Sequence, residues 1–295
     1  MEYTDLRKLQ LLEVNLLQKF QAICEQNKLT YYFTGGGLIG VLRHGGFIPW
    51  DDDMDIVMPR EDYDRFVEIC KKRGTKDGYG LIHYETDIDP DWNTVYSKFV
   101  DIQSELERPL AFQTFKEYVW IDILPVDGMP NSKFRRWLHM KHVLLLRYWL
   151  VLTDIEHRAA LKQRPFYETW ILKIFTIIPI FKMFDSVKVA KIVEKCMRKY
   201  KIADSQYCCN LIGKYRSKEI QPKERWGTPK ILNFEGVEVK VPELYHEFQT
   251  HMYGDYMKLP PMDQRIAHEV KLLNHREIDF AAFEERSRMS KKGKF

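Results

Sequence analysis

The chain has 295 residues, 45% of them hydrophobic, with a formal net charge of +4, a composition that supports a substantial core and excludes extended disorder over most of its length. Its five cysteines, Cys24, Cys70, Cys196, Cys208 and Cys209, match neither a disulfide framework nor CxxC zinc spacing, which points to buried thiols in a reducing compartment. No uninterrupted apolar run reaches the ~18 residues needed to span a bilayer, and the acidic start Met1-Glu2-Tyr3-Thr4-Asp5 lacks the features of a secretory signal, so a cytoplasmic location is expected.

In chain order, Leu6, Leu9, Leu16, Leu17, Phe20, Ile23 and Cys24 recur mostly at three- and four-residue steps, predicting an amphipathic helix over residues 4–26 that covers one face of a sheet. Leu29 to Thr34 is β-branched and aromatic, a strand running into Gly35-Gly36-Gly37 and a short helical turn, Leu38 to Leu42. A glycine run at a helix start lets backbone N–H groups approach a phosphate. Then comes Ile48-Pro-Trp-Asp-Asp-Asp-Met-Asp-Ile56, whose crowded carboxylates repel one another and call for a countercharge, most simply a divalent metal. In an extended strand Asp53 and Asp55 project together, roughly 6–7 Å apart at their roots, with Met54 and Ile56 facing the other way. Two other motifs fail on context. Gly35-x-Gly37-x-x-Gly40 matches a dinucleotide fingerprint, but the helix after it is too short and the acids open the next strand. Asp51, Asp53 and Asp55 mimic a calcium loop, but Ile56 stands where that loop needs glycine. Beyond Pro59, Tyr63, Phe66, Val67 and Cys70 mark the buried stripe of a helix ending near Gly74.

Strand, glycine turn, short helix and Asp-x-Asp strand form the core pattern of polymerase-β-like nucleotidyltransferases. The longer string from Thr34 to Ile56 resembles the LicD family of phosphotransferases, which includes bacterial phosphocholine transferases and is related to the fukutin-type enzymes. Strand candidates follow at Tyr79–Tyr84, Val95–Val100 and Tyr118–Leu124, the last closed by a turn at Pro125-Val126-Asp127-Gly128. Tyr118-Val-Trp-Ile-Asp-Ile-Leu-Pro125 is the second family-like string. Within it Asp122, alone between isoleucines, is costly to bury without a cation or donors. The resemblance implies that it is the third acidic ligand, on a strand beside the Asp-x-Asp strand.

From Phe134 to Phe184 the chain turns helical, rich in tryptophan, aliphatics and basic residues. Residues 133–201 hold 16 Lys and Arg against 5 Asp and Glu, so positive charge is concentrated mid-chain. The apolar segment Ile174 to Phe181 is a core helix or an interfacial anchor, and the basic tail Arg286 to Lys294 is either solvated or drawn to an anionic membrane. Ile231 to Val241 predicts a hairpin turning at Glu235-Gly236, and Tyr253-Gly-Asp-Tyr-Met-Lys-Leu-Pro-Pro261 is the third family-like string. The expected organisation is a catalytic core over 1–130, a helical basic region over 131–205, and a segment over 206–295 that completes the catalytic domain and ends in the tail. The expected fold class is α/β (α+β), a polymerase-β-like core with a mixed sheet, a helical aromatic and basic insertion and a C-terminal extension.

The resemblance implies attack by a hydroxyl on the phosphorus of CDP-choline or another CDP-alcohol, with CMP leaving. The acceptor class is a cell-surface glycan or a lipid-linked polymer such as a teichoic acid precursor. Asp53, Asp55 and Asp122, with Asp51 as a further metal ligand, would hold Mg²⁺ or Mn²⁺, and Asp122 or Asp53 would accept the hydroxyl proton. Gly36 and Gly37 would contact phosphate, Arg43 and Lys98 would clamp charge, and Lys214, Lys223 and Arg265 would contact substrate. A choline cage could draw on Trp50, Trp92, Trp120 and Trp226. Transfer of NMP with pyrophosphate release uses the same acids, and a non-catalytic membrane-bound scaffold is the alternative from another class. The basic block interleaves with bulky aliphatics, which disfavours nucleic acid and suits a peripheral protein on the inner face of the membrane.

Overall fold

The computed structural model describes residues 3–90, 92–109, 114–153, 184–265 and 270–292. The first helix, α1 (Asp5–Gln26), is capped by Thr4, whose side chain accepts the Arg7 N–H at 3.3 Å, and it buries Leu9, Leu12, Leu16 and Phe20. The mixed sheet it covers has the order β1 (Tyr32–Phe33), β2 (Asp55–Pro59), β5 (Thr114–Met129), β4 (Ser97–Pro109) and β10 (Lys271–Asn274), with β3 (Tyr79–Ile82) also pairing with β4. Within it β2 and β5 run parallel, while β1–β2, β4–β5, β3–β4 and β4–β10 are antiparallel.

Between β1 and β2 the glycine run forms the short helix α2 (Gly35–Ile39), which continues into a π-helical turn at Gly40–His44. Helix α3 (Arg60–Arg73) presents Tyr63, Phe66, Val67 and Cys70 to the core and stops at Gly74, at φ 61°, as its stripe predicts. Phe20, Phe66 and Phe99 meet edge-on or tilted at 5.1–6.3 Å between α1, α3 and β4.

One expectation is corrected. Pro125 to Gly128 is not a turn: β5 runs on to Met129 and pairs with β6 (Tyr207–Cys209), which in turn pairs with β7 (Ile220–Pro222). The turn-forming residues serve packing there. Asp127 takes a bidentate pair from Arg60 at 2.7 Å per bond, and a Cβ on Gly128 would fall 2.5 Å from the Lys201 carbonyl. The described part of the basic tail belongs to a helix, Phe280–Lys292, that docks beside α1 and the hairpin β8 (Lys230–Phe234)–β9 (Val237–Val241) and leaves Arg286 and Arg288 exposed. Its Ser287 is buried, and its Lys291 reaches Glu235 at 3.0 Å. Glu235 stands at the hairpin turn where the sequence places it, with φ 52° followed by Gly236 at 81°.

A second cluster joins α4 (Lys133–Thr153) to α5 (Ser186–Met197) through Met140, Val143, Leu150, Val189, Val193 and Met197. Arg60 anchors this layer to the core by pairing with Glu194 of α5 at 2.8 Å. The segment Ile174–Phe181 and Trp170 lie outside the described residues. No helix among the described residues is long and apolar enough to cross a membrane.

Candidate active site

Asp55 opens β2 directly opposite Asp122 on the parallel neighbour β5, and the Asp122 N–H donates to the Met54 carbonyl at 3.0 Å. Residues paired in register project to the same face, so the two carboxylates stand side by side on strands about 4.8 Å apart. Asp53 lies two residues earlier and reaches the same space, while Met54 and Ile56 turn into the core. Asp51, Asp53, Asp55 and Asp122, together with Gly35 and Gly36, line a cavity of about 570 Å³. The C-terminal half of the chain and α4 also line it, through Arg147, Asn210, Lys214, Tyr215, Glu219 and Tyr253.

The glycine run makes room for the acids. A Cβ on Gly35 would sit 2.9 Å from Asp55 Oδ2, and one on Gly36 would sit 2.7 Å from Asp51 Oδ2. Gly35 also has φ +58°, a backbone conformation that a side chain would strain. Its carbonyl accepts the Gln249 amide at 3.1 Å, tying the turn to the helix Tyr245–Tyr253.

Burial pushes the Asp55 carboxyl well above its usual range, and Asp53, Asp122 and Asp51 push it further. Burial likewise raises Asp122 to about 6; Lys98 opposes this and Asp53 adds to it. Asp122 Oδ1 is buried with no hydrogen-bond partner among the described residues. Repelling carboxylates around an unsatisfied oxygen are what a hard divalent cation would relieve, and the donors are all oxygen, so the residues fit Mg²⁺ or Mn²⁺. Asp51, Asp52 and Asp53 can each bring one carboxylate oxygen within 4.8 Å of the others, which adds the buried Asp52 to the acids expected from sequence.

A family model described as LicD/FKTN/FKRP, nucleotidyltransferase domain, matches residues 28–139, the stretch that carries every acid of this face. Over 281 residues the chain is 32% identical to the lipopolysaccharide cholinephosphotransferase LicD of Haemophilus influenzae, covering 92% of this chain and 98% of that protein. The chain belongs to the LicD family. A shorter match, 32% over 76 residues, joins 19% of the chain to 29% of an uncharacterized protein of Rickettsia prowazekii. Another, 37% over 54 residues, covers 18% of the chain and 18% of an uncharacterized protein of Rickettsia typhi.

Of the basic residues singled out in this LicD-family chain, Lys214 alone lines the cavity. Lys98 is the register partner of Asp122, but its amine pairs with Glu117 at 3.0 Å, lies 4.2 Å from the Trp120 ring centre and borders a separate hollow of about 270 Å³. Its charge draws Asp122 down, and it does not line the main cavity. Arg43 is spent on structure, donating to the carbonyls of Tyr256 at 3.0 Å and Lys258 at 3.2 Å, which fastens the third family-like string to the π-helical turn. Lys223 donates to the Ile202 and Ala203 carbonyls, and Arg265 to the Pro260 carbonyl beside the Trp50 ring. Gly37 is buried against Phe33 and stays off the cavity wall, unlike Gly36.

None of Trp50, Trp92, Trp120 and Trp226 lines the cavity. Lining residues with no advance signal include Arg147, Asn210, Tyr215 and Glu219. Arg147 sat inside the basic block, indistinguishable by pattern from its neighbours, yet its guanidinium is held by the Leu211 and Ile212 carbonyls, both at 2.8 Å. Glu219 follows three exposed polar residues and has no sequence signal at all.

Proposed function

We propose that this protein transfers phosphocholine, or a similar phospho-alcohol, from a CDP-activated donor to a hydroxyl of a cell-surface glycan such as lipopolysaccharide, releasing CMP. The observation that carries this reading is the in-register pair Asp55–Asp122 facing one cavity with Asp53, in a chain 32% identical over nearly its whole length to a lipopolysaccharide cholinephosphotransferase.

Asp53, Asp55 and Asp122, with Asp51 beside them, would hold Mg²⁺. When bound, the ion would neutralise charge on the transferring phosphoryl group. The residues themselves do the rest. The acceptor oxygen attacks the phosphorus of the choline phosphate, the bond from that phosphorus to the bridging oxygen breaks, and CMP departs with the bond's electron pair. The proton of the attacking hydroxyl passes to a carboxylate on this face, Asp122 or Asp53. Gly36 keeps the floor open for phosphate, and Lys214 in the same lining supplies positive charge.

A peripheral position on the inner face of the membrane fits the same reading. On α4, Phe134, Trp137, Leu138 and Leu145 are 52–69% exposed, interspersed with Lys133, Arg135 and Lys141. Apolar insertion flanked by basic charge suits an anionic leaflet. Incubation with Mg²⁺, a glycan acceptor and a panel of CDP-choline, CDP-ribitol and CDP-glycerol tests the proposal: CMP should appear in an acceptor-dependent manner. Pyrophosphate release from a nucleoside triphosphate, with no CMP from any CDP-alcohol, would assign nucleotidyl transfer instead.

A further inference from the structure

Beyond the acid face that phosphoryl transfer uses, the cavity holds one further carboxylate among the described residues. Glu219 lines it from the segment between Gly213 and β7, with Tyr215 and Tyr253 also in the lining, and its charge adds to the upward push on Asp55. The two tyrosine rings meet edge to face, centroids 5.2 Å apart and planes at 85°. Among the described residues the Glu219 carboxylate takes one hydrogen bond, from the Tyr215 N–H at 3.3 Å, and forms no ion pair. Arg147, the nearest cation to influence it, is already committed to two backbone carbonyls. The chain at this wall is shaped around the acid, since a Cβ on Gly213 would fall 2.2 Å from the Glu219 carboxyl carbon. An acid needed only to cap Tyr215 could be a neutral amide, and a half-buried carboxylate with no ion pair among the described residues is costly to ionise.

We infer that Glu219, Tyr215 and Tyr253 form a subsite for an organic cation, the quaternary ammonium head of the transferred group. This rests on the proposed phosphotransfer and names the donor's head group within it. The chemistry of this lining then matches the donor. The acid face would take the phosphates, and a carboxylate with two electron-rich rings would take the trimethylammonium, a cation unable to donate hydrogen bonds. Burial holds Glu219 up at about 7, so a bound cation would also favour its ionised form. The site makes no use of tryptophan.

The test compares Glu219→Gln with the unaltered protein. Glutamine keeps an acceptor oxygen for the Tyr215 N–H and removes only the charge. The expected result is a KM for CDP-choline raised by about tenfold or more, with kcat for CDP-choline and the constants for CDP-glycerol little changed. Tetramethylammonium should compete with CDP-choline in the unaltered protein and lose that effect in the variant; Tyr253→Leu should weaken it too. Equal losses with every donor would overturn the inference and make Glu219 a support for the reaction or the loop. If no CDP-alcohol releases CMP, the phosphotransfer reading fails, but the subsite is still decided by saturation-transfer NMR with tetramethylammonium. Binding abolished by Glu219→Gln would support it, and no binding to the unaltered protein would overturn it.

Discussion

Asp122→Asn should separate stability from activity, because one carboxylate is arranged at a cost to the fold. In the folded protein Asp122 is raised to about 6 by burial, from an ordinary value of 3.8. A raised carboxyl binds protons more tightly folded than unfolded. Its ionised form therefore destabilises the fold above about pH 6, and the penalty vanishes below the unfolded value. A difference of about two pKa units corresponds to about 3 kcal/mol at neutral pH. Asparagine removes that penalty while preserving shape. In chelator at pH 7.5 the variant should unfold at a higher denaturant midpoint than the unaltered protein, and the gap should shrink toward pH 4. With Mg²⁺ present, the same substitution should reduce CMP release by about 10²–10⁴-fold, the scale of losing a ligand that stabilises transition-state charge. A variant that loses stability in chelator, or retains near-normal turnover at saturating Mg²⁺, would refute the assignment of Asp122 to a strained, cation-requiring site.

Chelation followed by readdition should abolish and restore CMP release with Mg²⁺ or Mn²⁺, because the acid face offers only hard oxygen donors; turnover unchanged in excess chelator would count against any metal there. Gly36→Ala should lose most activity, since its Cβ would press within 2.7 Å of Asp51 Oδ2, whereas Lys223→Ala, remote from the cavity, should turn over normally once folded. Glu235 is pushed up by burial, but the Arg7 hydrogen bond and charge, with Lys291 and Ser287, hold it down at about 2. Its stabilising effect is present above the unfolded value near 4.5 and is lost as pH falls toward 2, so Glu235→Gln should cost about 3 kcal/mol at pH 7 and much less at pH 3 by denaturant titration. An equal cost at both pH values would show that its charge does not anchor the C-terminal helix.

The parts of this site that sequence made legible are those governed by short-range rules. Period-two alternation put Asp53 and Asp55 on one face and Met54 and Ile56 on the other, and the cost of an isolated buried carboxylate singled out Asp122 before β5 was known to pair with β2. Helix α3 and the Glu235–Gly236 hairpin follow from an apolar stripe and a turn signal. Long-range packing was not legible. No local pattern tells that Arg43 donates to carbonyls more than 200 residues away in sequence. Pro125 to Gly128 carries every turn-forming residue, yet Arg60 holding Asp127 and the close approach of Lys201 to Gly128 keep it extended. Glu219 and Arg147 reach the cavity only because β6 and β7 extend the sheet and α4 packs against the wall they form.

The most direct test of the central claim is product analysis after incubation of the purified protein with CDP-choline, Mg²⁺ and a lipopolysaccharide-type glycan. Mass spectrometry should show glycan carrying phosphocholine in one-to-one ratio with CMP, and Asp55→Asn should abolish both products together. CMP formed without modified glycan would contradict transfer to that acceptor. Glycan carrying a nucleotide, or full phosphocholine transfer by the Asp55→Asn variant, would contradict the role given to the acid face.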